Sequence, residues 1–155
     1  MIDLYDRQVI GWSLSTRMYT NQTIIPAWKM AVSKREITES LLFHCFANST
    51  KALGSDRGIQ YASIEFRKLI NKNTLITQSM SRKANCWDNA VAESFFKTLK
   101  AELIYQHKFT TIEEAKLAVF EYIEVWYNRK RLHSSLGYKT RKEMELEFYK
   151  IKSVA

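Results

Sequence analysis

One carboxylate and two ammonium groups recur on a single stripe of the segment DNAVAESFFKTLK, residues 88–100. Glu93, Lys97 and Lys100 are spaced i, i+4 and i+7, which places them on one side of a helix. The simplest interpretation is a solvated face, whose Glu–Lys pair contributes about 0.3 kcal/mol to helix stability. The alternative is a chemically active face, which requires a second carboxylate and a basic surround from the rest of the chain.

The segment SDRGIQYAS, residues 55–63, offers that second carboxylate at Asp56. Gly58 permits close approach to the backbone, and Arg57 and Gln60 are donors suited to phosphates or bases. Taken alone, the segment is equally well explained by a turn in which the Asp56 side chain accepts a backbone hydrogen bond. Its significance therefore depends on the motifs that accompany it.

The stripe belongs to a predicted amphipathic helix that begins at Asp88, whose carboxylate is a suitable N-cap. The opposite side of this helix repeats apolar residues at helical spacing and is predicted to face the core: Val91, Ala92, Phe95, Phe96, Leu99 and Leu103.

The order of the other predicted elements indicates an α/β fold with a small mixed sheet. Residues 2–15 are predicted to form a hairpin, because Ile10, Trp12 and Leu14 alternate with small residues in its second half. Strands are also predicted at 40–46 and 74–80. Helices are predicted from the low twenties to about Arg35 with Pro26 in the first turn, at 63–73, from Asp88, at 110–131 and near the C-terminus.

Apolar periodicity also predicts which side chains of the other two amphipathic helices face inward. The helix at 63–73 would bury Ile64, Phe66, Leu69 and Ile70, and the helix at 110–131 would bury Ala115, Val119, Tyr122, Ile123 and Trp126. The start of the latter offers two capping boxes, Thr110 with Glu113 and Thr111 with Glu114.

Composition favours a polyanionic partner for this chain of 155 residues, whose net charge is +8. The weaker interpretation is a basic surface that serves solubility. Cys45 and Cys86 have no zinc-site spacing and fit a reducing cytoplasm. No apolar run approaches the roughly 20 residues of a membrane span, so a cytoplasmic protein without membrane contact is expected.

Three segments occur in a telling order: SDRGIQY, then QSMSRKANCWDNAVAESFFKTLK, then YNRKRLHSSLGY. Together they closely resemble the integrase core of insertion-sequence transposases of the IS-three group, in the larger, second reading frame. The resemblance covers most of the chain. It implies an RNase H-like fold, a mixed sheet flanked by helices, and an enzyme that cuts and joins DNA with two divalent metal ions.

The resemblance also implies roles for individual residues. Three carboxylates hold the metals in this family, and the motif match makes Asp56 the second and Glu93 the third, with Mg²⁺ (or Mn²⁺) as the cofactor. Lys97 and Lys100 then lie where DNA phosphates are held beside the metals. Further DNA contacts are expected from the basic and amide side chains of the motifs: Arg57, Gln60, Arg82, Lys83, Arg129 and Arg131.

The chain differs from the family pattern at three places. The first catalytic Asp of the family belongs to a strand upstream of IDLYDR, so the fold is expected to lack its first strand and the triad is expected to be incomplete, unless Asp3 or Asp6 is recruited. Residues 45–54 are an insertion before Asp56. Arg141 stands where the family commonly has Pro, which is expected to affect a terminal turn and not the chemistry.

The prediction is therefore a transposase catalytic core over residues 1–148 with a tail at 149–155, truncated and of impaired or no activity on its own. Its partners would be DNA, namely element ends and target, and a second copy or a full-length transposase. The competing hypothesis is a non-catalytic DNA-binding or oligomerising module that modulates a full-length transposase.

Overall fold

The computed structural model describes residues 1–17, 19–45, 63–80 and 90–154. The chain divides into two compact units, one made of Met1 with Ile10–Ala90 and the other of Ile2–Val9 with Val91–Ala155. Within the described ranges, no helix is long and apolar enough to cross a membrane.

The first unit alternates helices and strands: α1 (Ile24–Lys34), β1 (Leu41–Cys45), α2 (Ile64–Ile70) and β2 (Ile76–Met80). Strands β1 and β2 pair in parallel, with Leu41 opposite Ile76 and Cys45 opposite Met80. A parallel pair needs a crossover connection, and α2 lies in the connection between the two strands. The four elements predicted here are confirmed, as is Pro26 in the first turn of α1.

An aromatic cluster forms the core of the first unit. Ile24 and Trp28 of α1 pack with Phe66 and Ile70 of α2, and all four side chains are buried. The rings of Trp28 and Phe66 meet edge to face with centroids 5.9 Å apart. Such pairs add to the stabilisation from burial, so this cluster fixes α1 and α2 against the β1–β2 pair.

Two expectations for the first unit are wrong. Ile64, predicted to face inward, is 72% exposed, because it precedes Phe66 by two residues and so points to the other side of α2. The predicted strand at residues 10–15 does not form, and the hairpin is reduced to one antiparallel bridge between Ile2 and Val9. Instead of pairing with a strand, Gly11 lies against α1, where a β-carbon would come within 2.0 Å of the Ala27 carbonyl oxygen.

A Gly11→Ala substitution is expected to lower the free energy of unfolding by about 2–3 kcal/mol, because overpacking must displace backbone atoms of α1. Urea denaturation measures this change. Gly137→Ala is the comparison, since Gly137 has φ +65° and nothing within 4 Å of an added β-carbon. Its cost should be limited to the dihedral penalty of about 1 kcal/mol. Equal costs at the two sites would contradict the close approach of Gly11 to α1.

The second unit is mostly helical. Its elements are α3 (Ala90–Glu102), α4 (Ile112–Phe120), a π-helix that continues α4 (Glu121–Tyr127), the short antiparallel strands β3 (Leu132–His133) and β4 (Lys139–Thr140), and α5 (Arg141–Val154). Thr111 caps α4, accepting from the Glu114 amide at 3.1 Å, while the Glu114 carboxylate accepts from the Thr110 amide at 2.8 Å. This selects the second of the two predicted capping boxes.

The π-helix changes which residues of the long helix face the core. Trp126, predicted to be buried, is 47% exposed, and its neighbour Tyr127 is buried instead. A π-helix has more residues per turn than an α-helix, so the inward position moves one residue along the chain after Val119 and Ile123. Tyr127 thereby meets Phe95 of α3, with ring centroids 4.9 Å apart.

The apolar face of α3 is narrower than predicted. Phe95 and Leu103 are buried, whereas Phe96 is 55% exposed. Phe96 lies about 100° around the helix from Phe95, which takes it off the stripe that contains Phe95, Leu99 and Leu103. The helix is therefore anchored by one line of side chains, and its other faces remain available to solvent.

Candidate metal and nucleic-acid site

Five of the ten predicted site residues lie outside the described residues: Asp56, Arg57, Gln60, Arg82 and Lys83. The proposed N-cap Asp88 lies outside them as well. The convergence of Asp56 and Glu93 on one metal therefore stays a prediction. The described candidates are on the second unit: Glu93, Lys97, Lys100, Arg129 and Arg131.

The stripe predicted on α3 is present and exposed. Glu93 lies in the first turn of α3, and Lys97 and Lys100 follow it on the same helix with exposed side chains. Phe95 and Leu103, on the buried side, hold the helix in the second unit. Among the described residues, neither lysine has an ion-pair partner, so both ammonium groups can meet an external anion.

The donor chemistry at Glu93 suits a divalent cation of the magnesium type, which prefers carboxylate oxygens. Within the part of the chain that the structure describes, no three Asp, Glu, His or Cys side chains are grouped as metal ligands. Glu93 is thus one candidate ligand, and Asp56 would be the second.

The two alternative carboxylates of the opening hairpin have roles in its turn. Asp3 Oδ1 accepts a hydrogen bond from the Tyr5 amide at 2.8 Å, and Asp6 Oδ1 accepts from the Gln8 amide at 2.9 Å. Asp6 is also fully buried. These contacts are those of side chains that stabilise a turn, and in the described ranges neither carboxylate joins Glu93 in a group of metal ligands.

Arg131, predicted to contact DNA, is held by Glu102 at the end of α3. Its Nη2 lies 2.8 Å from Glu102 Oε1, and its Nε donates to the same oxygen at 2.9 Å. Tyr122 of the π-helix donates its hydroxyl to Glu102 Oε2 at 2.7 Å. Glu102 therefore ties the C-terminal end of α3 to the π-helix and to the segment that follows it. Arg129, by contrast, is exposed.

Acidification is expected to remove the contribution of Glu102 to stability. Desolvation opposes ionisation of this carboxyl, but hydrogen bonds from Arg131 and Tyr122 outweigh it and lower the pKa of Glu102. A carboxyl with a lowered folded-state pKa stabilises the protein above its unfolded pKa of about 4.3, and that stability is lost as the pH falls through the folded value. Between about pH 5 and pH 3, urea denaturation should show a larger loss of stability for the wild type than for Glu102→Gln.

The matched control is Glu147→Gln, because Glu147 pairs with Lys139 at 2.7 Å in an exposed position. Exposed pairs contribute little, so this variant should keep the pH dependence of the wild type. Parallel pH profiles for the wild type and Glu102→Gln would contradict the role assigned to Glu102.

Asn128 pairs with the backbone of the opening hairpin in the same unit. Its side-chain oxygen accepts from the Val9 amide at 3.0 Å, and its side-chain nitrogen donates to the Val9 carbonyl at 3.0 Å. Both residues are buried. The amide thus satisfies both backbone groups of Val9, as a neighbouring strand would, and it explains the Asn of the YNRKR motif as a structural residue.

Arg141 is the largest fully buried side chain of the described residues. Its Nε donates to the Arg7 carbonyl at 2.9 Å and one Nη donates to the Tyr127 carbonyl at 2.9 Å. The guanidinium carbon lies 3.6 Å from the centroid of the Tyr127 ring. The expectation that this position affects only a terminal turn is therefore wrong, because Arg141 joins the hairpin, the π-helix and the start of α5.

Sequence reasoning missed Glu102 and Asn128 because their partners are distant in sequence. One signal was available for each. Glu102 continues the charged stripe of the predicted α3, and Asn128 stands next to an aromatic residue inside a motif of the family. Neither signal names a partner.

Comparison with known proteins gives consistent matches. A family model described as "Integrase core domain" matches residues 1–86, and a second with the same description matches residues 74–140. The transposase for insertion sequence element IS904 of Lactococcus lactis is 39% identical over 144 residues, which are 93% of this chain and 52% of that protein. Transposase InsF for insertion sequence IS3A of Escherichia coli is 41% identical over 137 residues, 88% of this chain and 43% of that protein.

The chain spans about half the length of the curated relatives it matches. No solved structure matches the chain. The matches confirm the resemblance to insertion-sequence transposases, and the described elements are those of a mixed α/β protein. The chain belongs to the integrase core domain family.

Proposed function

We propose that this chain is the catalytic core of an insertion-sequence transposase, which cuts and joins DNA. The observation that carries the proposal is the 39% and 41% identity to two named transposases over 93% and 88% of the chain. The exposed carboxylate and lysines of α3 supply a surface that fits this activity. Such a substrate would place the protein with the bacterial nucleoid in the cytoplasm.

In this proposal Asp56 and Glu93 bind Mg²⁺ or Mn²⁺, within an RNase H-like arrangement. Divalent ions at such a site stabilise the charge of the attacking and leaving oxygens at phosphorus. Lys97 and Lys100 neutralise DNA phosphates next to Glu93, since they continue its stripe along α3. The buried side of α3 keeps Glu93 at a fixed position, because positioning contributes much of the rate enhancement in phosphoryl transfer.

DNA binding can be tested without catalysis. The chain should bind duplex DNA weakly and independently of sequence, with affinity falling steeply as salt rises, as measured by fluorescence anisotropy. Replacing Lys97 and Lys100 by Gln should reduce the slope of log affinity against log salt by about 1.8, since each phosphate contact contributes about 0.9. A control that replaces the exposed Lys108 and Lys116 by Gln removes the same charge elsewhere and should change the slope less. A flat salt response of the wild type would contradict the proposal.

Catalytic competence is best tested in a chimera. The chain aligns with 52% of the IS904 transposase, so it can replace the matching segment of that relative. We expect the chimera to support transposition of an IS904 element in cells, measured by a mating-out assay. The 155 residues alone are expected to give no strand transfer, because the motif match assigns them two of three carboxylates.

The second candidate function, a non-catalytic module that modulates a full-length transposase, makes the opposite prediction. An inactive chimera together with intact DNA binding would favour it. Co-expression of the 155 residues with the intact IS904 transposase would then reduce transposition. If co-expression leaves transposition unchanged and the chimera is active, the catalytic proposal stands.

A further inference from the structure

A half-exposed tryptophan borders an open groove on the second unit. The groove has a volume of about 550 Å³ and is lined by Ala101, Glu102, Gln106, Tyr122 and Trp126. This volume is within the range of about 300–1,000 Å³ that is typical of ligand sites. Trp126 is 47% exposed, whereas Tyr122 beside it is 7% exposed. The groove therefore presents one accessible indole ring.

The edge of that ring is fixed by the Glu102 cluster. The indole N–H of Trp126 hydrogen-bonds to the Glu102 carboxylate, which also receives Tyr122 and Arg131. A donor tied to an ionised acceptor makes a stronger bond than a neutral pair, so the indole has a preferred orientation. An aromatic ring that is already oriented loses little conformational entropy when a flat ligand stacks on it.

Two cations flank the ring. Arg129 and Lys130 follow Trp126 by three and four residues, which places them near it on the chain's helical turn. The backbone amide of Lys130 donates to the Trp126 carbonyl at 2.9 Å, which confirms that turn. Both side chains are exposed, and in the part of the chain described here neither has an ion-pair partner. The groove is thus bordered by an aromatic surface and by available positive charge.

We propose that this groove binds an unpaired nucleotide of single-stranded DNA, with the base stacked on Trp126 and adjacent phosphates paired with Arg129 and Lys130. Aromatic rings next to basic side chains are the usual means of binding single strands without sequence preference. The proposal rests on the proposed function and extends it, since it assigns a second DNA contact away from the Glu93 stripe. A protein partner would also cover an exposed ring, but the flanking cations and the net charge of +8 favour a polyanion.

The test compares single-stranded 12-mers by fluorescence anisotropy in buffer with EDTA. The probes are a fluorescein-labelled oligothymidine and an abasic strand with the same number of phosphates. The wild type should bind the strand with bases about tenfold more tightly than the abasic strand, because stacking on an aromatic ring contributes a factor of this size per base. Equal affinities for the two strands would overturn the proposal, whatever the variants do.

Substitutions then locate the effect. Trp126→Ala should lower affinity for the strand with bases to that of the abasic strand, and Trp126→Phe should retain most of the difference. Phe120→Ala is the matched control, because Phe120 is 48% exposed on the same long helix and does not line the groove. If Trp126→Ala does not fold, Trp126→Phe and the abasic strand still decide. A change in oligomeric state for Trp126→Ala, with unchanged affinity for DNA, would overturn the proposal in favour of a protein interface.

Charge and metal dependence separate this site from the proposed catalytic one. Replacing Arg129 and Lys130 by Gln should reduce the salt slope for the single strand by about 1.4, at about 0.7 for each phosphate. Glu93→Gln should leave binding in EDTA unchanged. An inactive chimera together with base-dependent binding would reject the catalytic function and keep this site, whereas an active chimera with no base dependence would do the reverse.

Discussion

Replacing Glu93 by Gln is expected to abolish transposition by the chimera with the IS904 transposase, by a factor of about a thousand or more. Gln is nearly isosteric with Glu but carries no charge, so it should leave α3 folded while weakening metal binding. Loss of one ligand removes both the positioning of the metal and its charge stabilisation, which corresponds to several kcal/mol of barrier. The measurement is the transposition frequency in cells, with protein levels followed by immunoblot.

The control for Glu93→Gln is Glu113→Gln. Glu113 is also exposed and lies in the first turn of a helix, α4, so the substitution removes the same charge from a similar local environment. It should leave transposition within a few-fold of the unsubstituted chimera. Equal losses for the two variants would indicate a general effect of charge on DNA binding, and activity in Glu93→Gln would exclude this residue as a metal ligand.

The largest effect on stability is expected for Arg141→Ala, which should lower the free energy of unfolding of the second unit by about 4–5 kcal/mol. The substitution leaves the carbonyls of Arg7 and Tyr127 without their donors, at about 1–3 kcal/mol each. It also removes the cation–π contact with Tyr127, which is worth about 2 kcal/mol when desolvated. The loss of packing around a fully buried side chain adds to these terms.

Native-state hydrogen exchange is the suitable measurement for Arg141→Ala, because amides of α4 and α5 report on the second unit separately from the first. Arg129→Ala is the control, since Arg129 is exposed and its substitution should change stability by less than about 0.5 kcal/mol. A cost below about 1 kcal/mol for Arg141→Ala would show that the hairpin and the π-helix hold together without the guanidinium.

Local sequence patterns predicted the elements of the first unit because these elements follow local rules. The apolar spacing of α1 and α2 and the short apolar runs of β1 and β2 contain most of what defines them. The predicted strand at 10–15 failed because alternation cannot show that Gly11 lies against a helix. Whether a segment pairs with a strand or packs on a helix is a tertiary property.

The candidate site was predictable where a motif identifies it and not where contacts do. Glu93, Lys97 and Lys100 were found from their spacing and from the family resemblance, and all three are exposed on α3 as expected. Glu102 and Arg141 were not assigned their roles, because their partners lie at least 20 residues away or on another element. Arg131 shows the limit clearly, since its position in a basic motif does not reveal its bond to Glu102.

The π-helix at Glu121–Tyr127 makes the second unit sensitive to chain length at one place. A π-turn differs from an α-turn by a single extra residue, so deleting one codon within this segment would restore the α-helical period. Everything after the deletion would then rotate by about 100° relative to α4. Trp126 and Tyr127 would exchange environments, and both the aromatic contact with Phe95 and the exposed indole would be lost in one step.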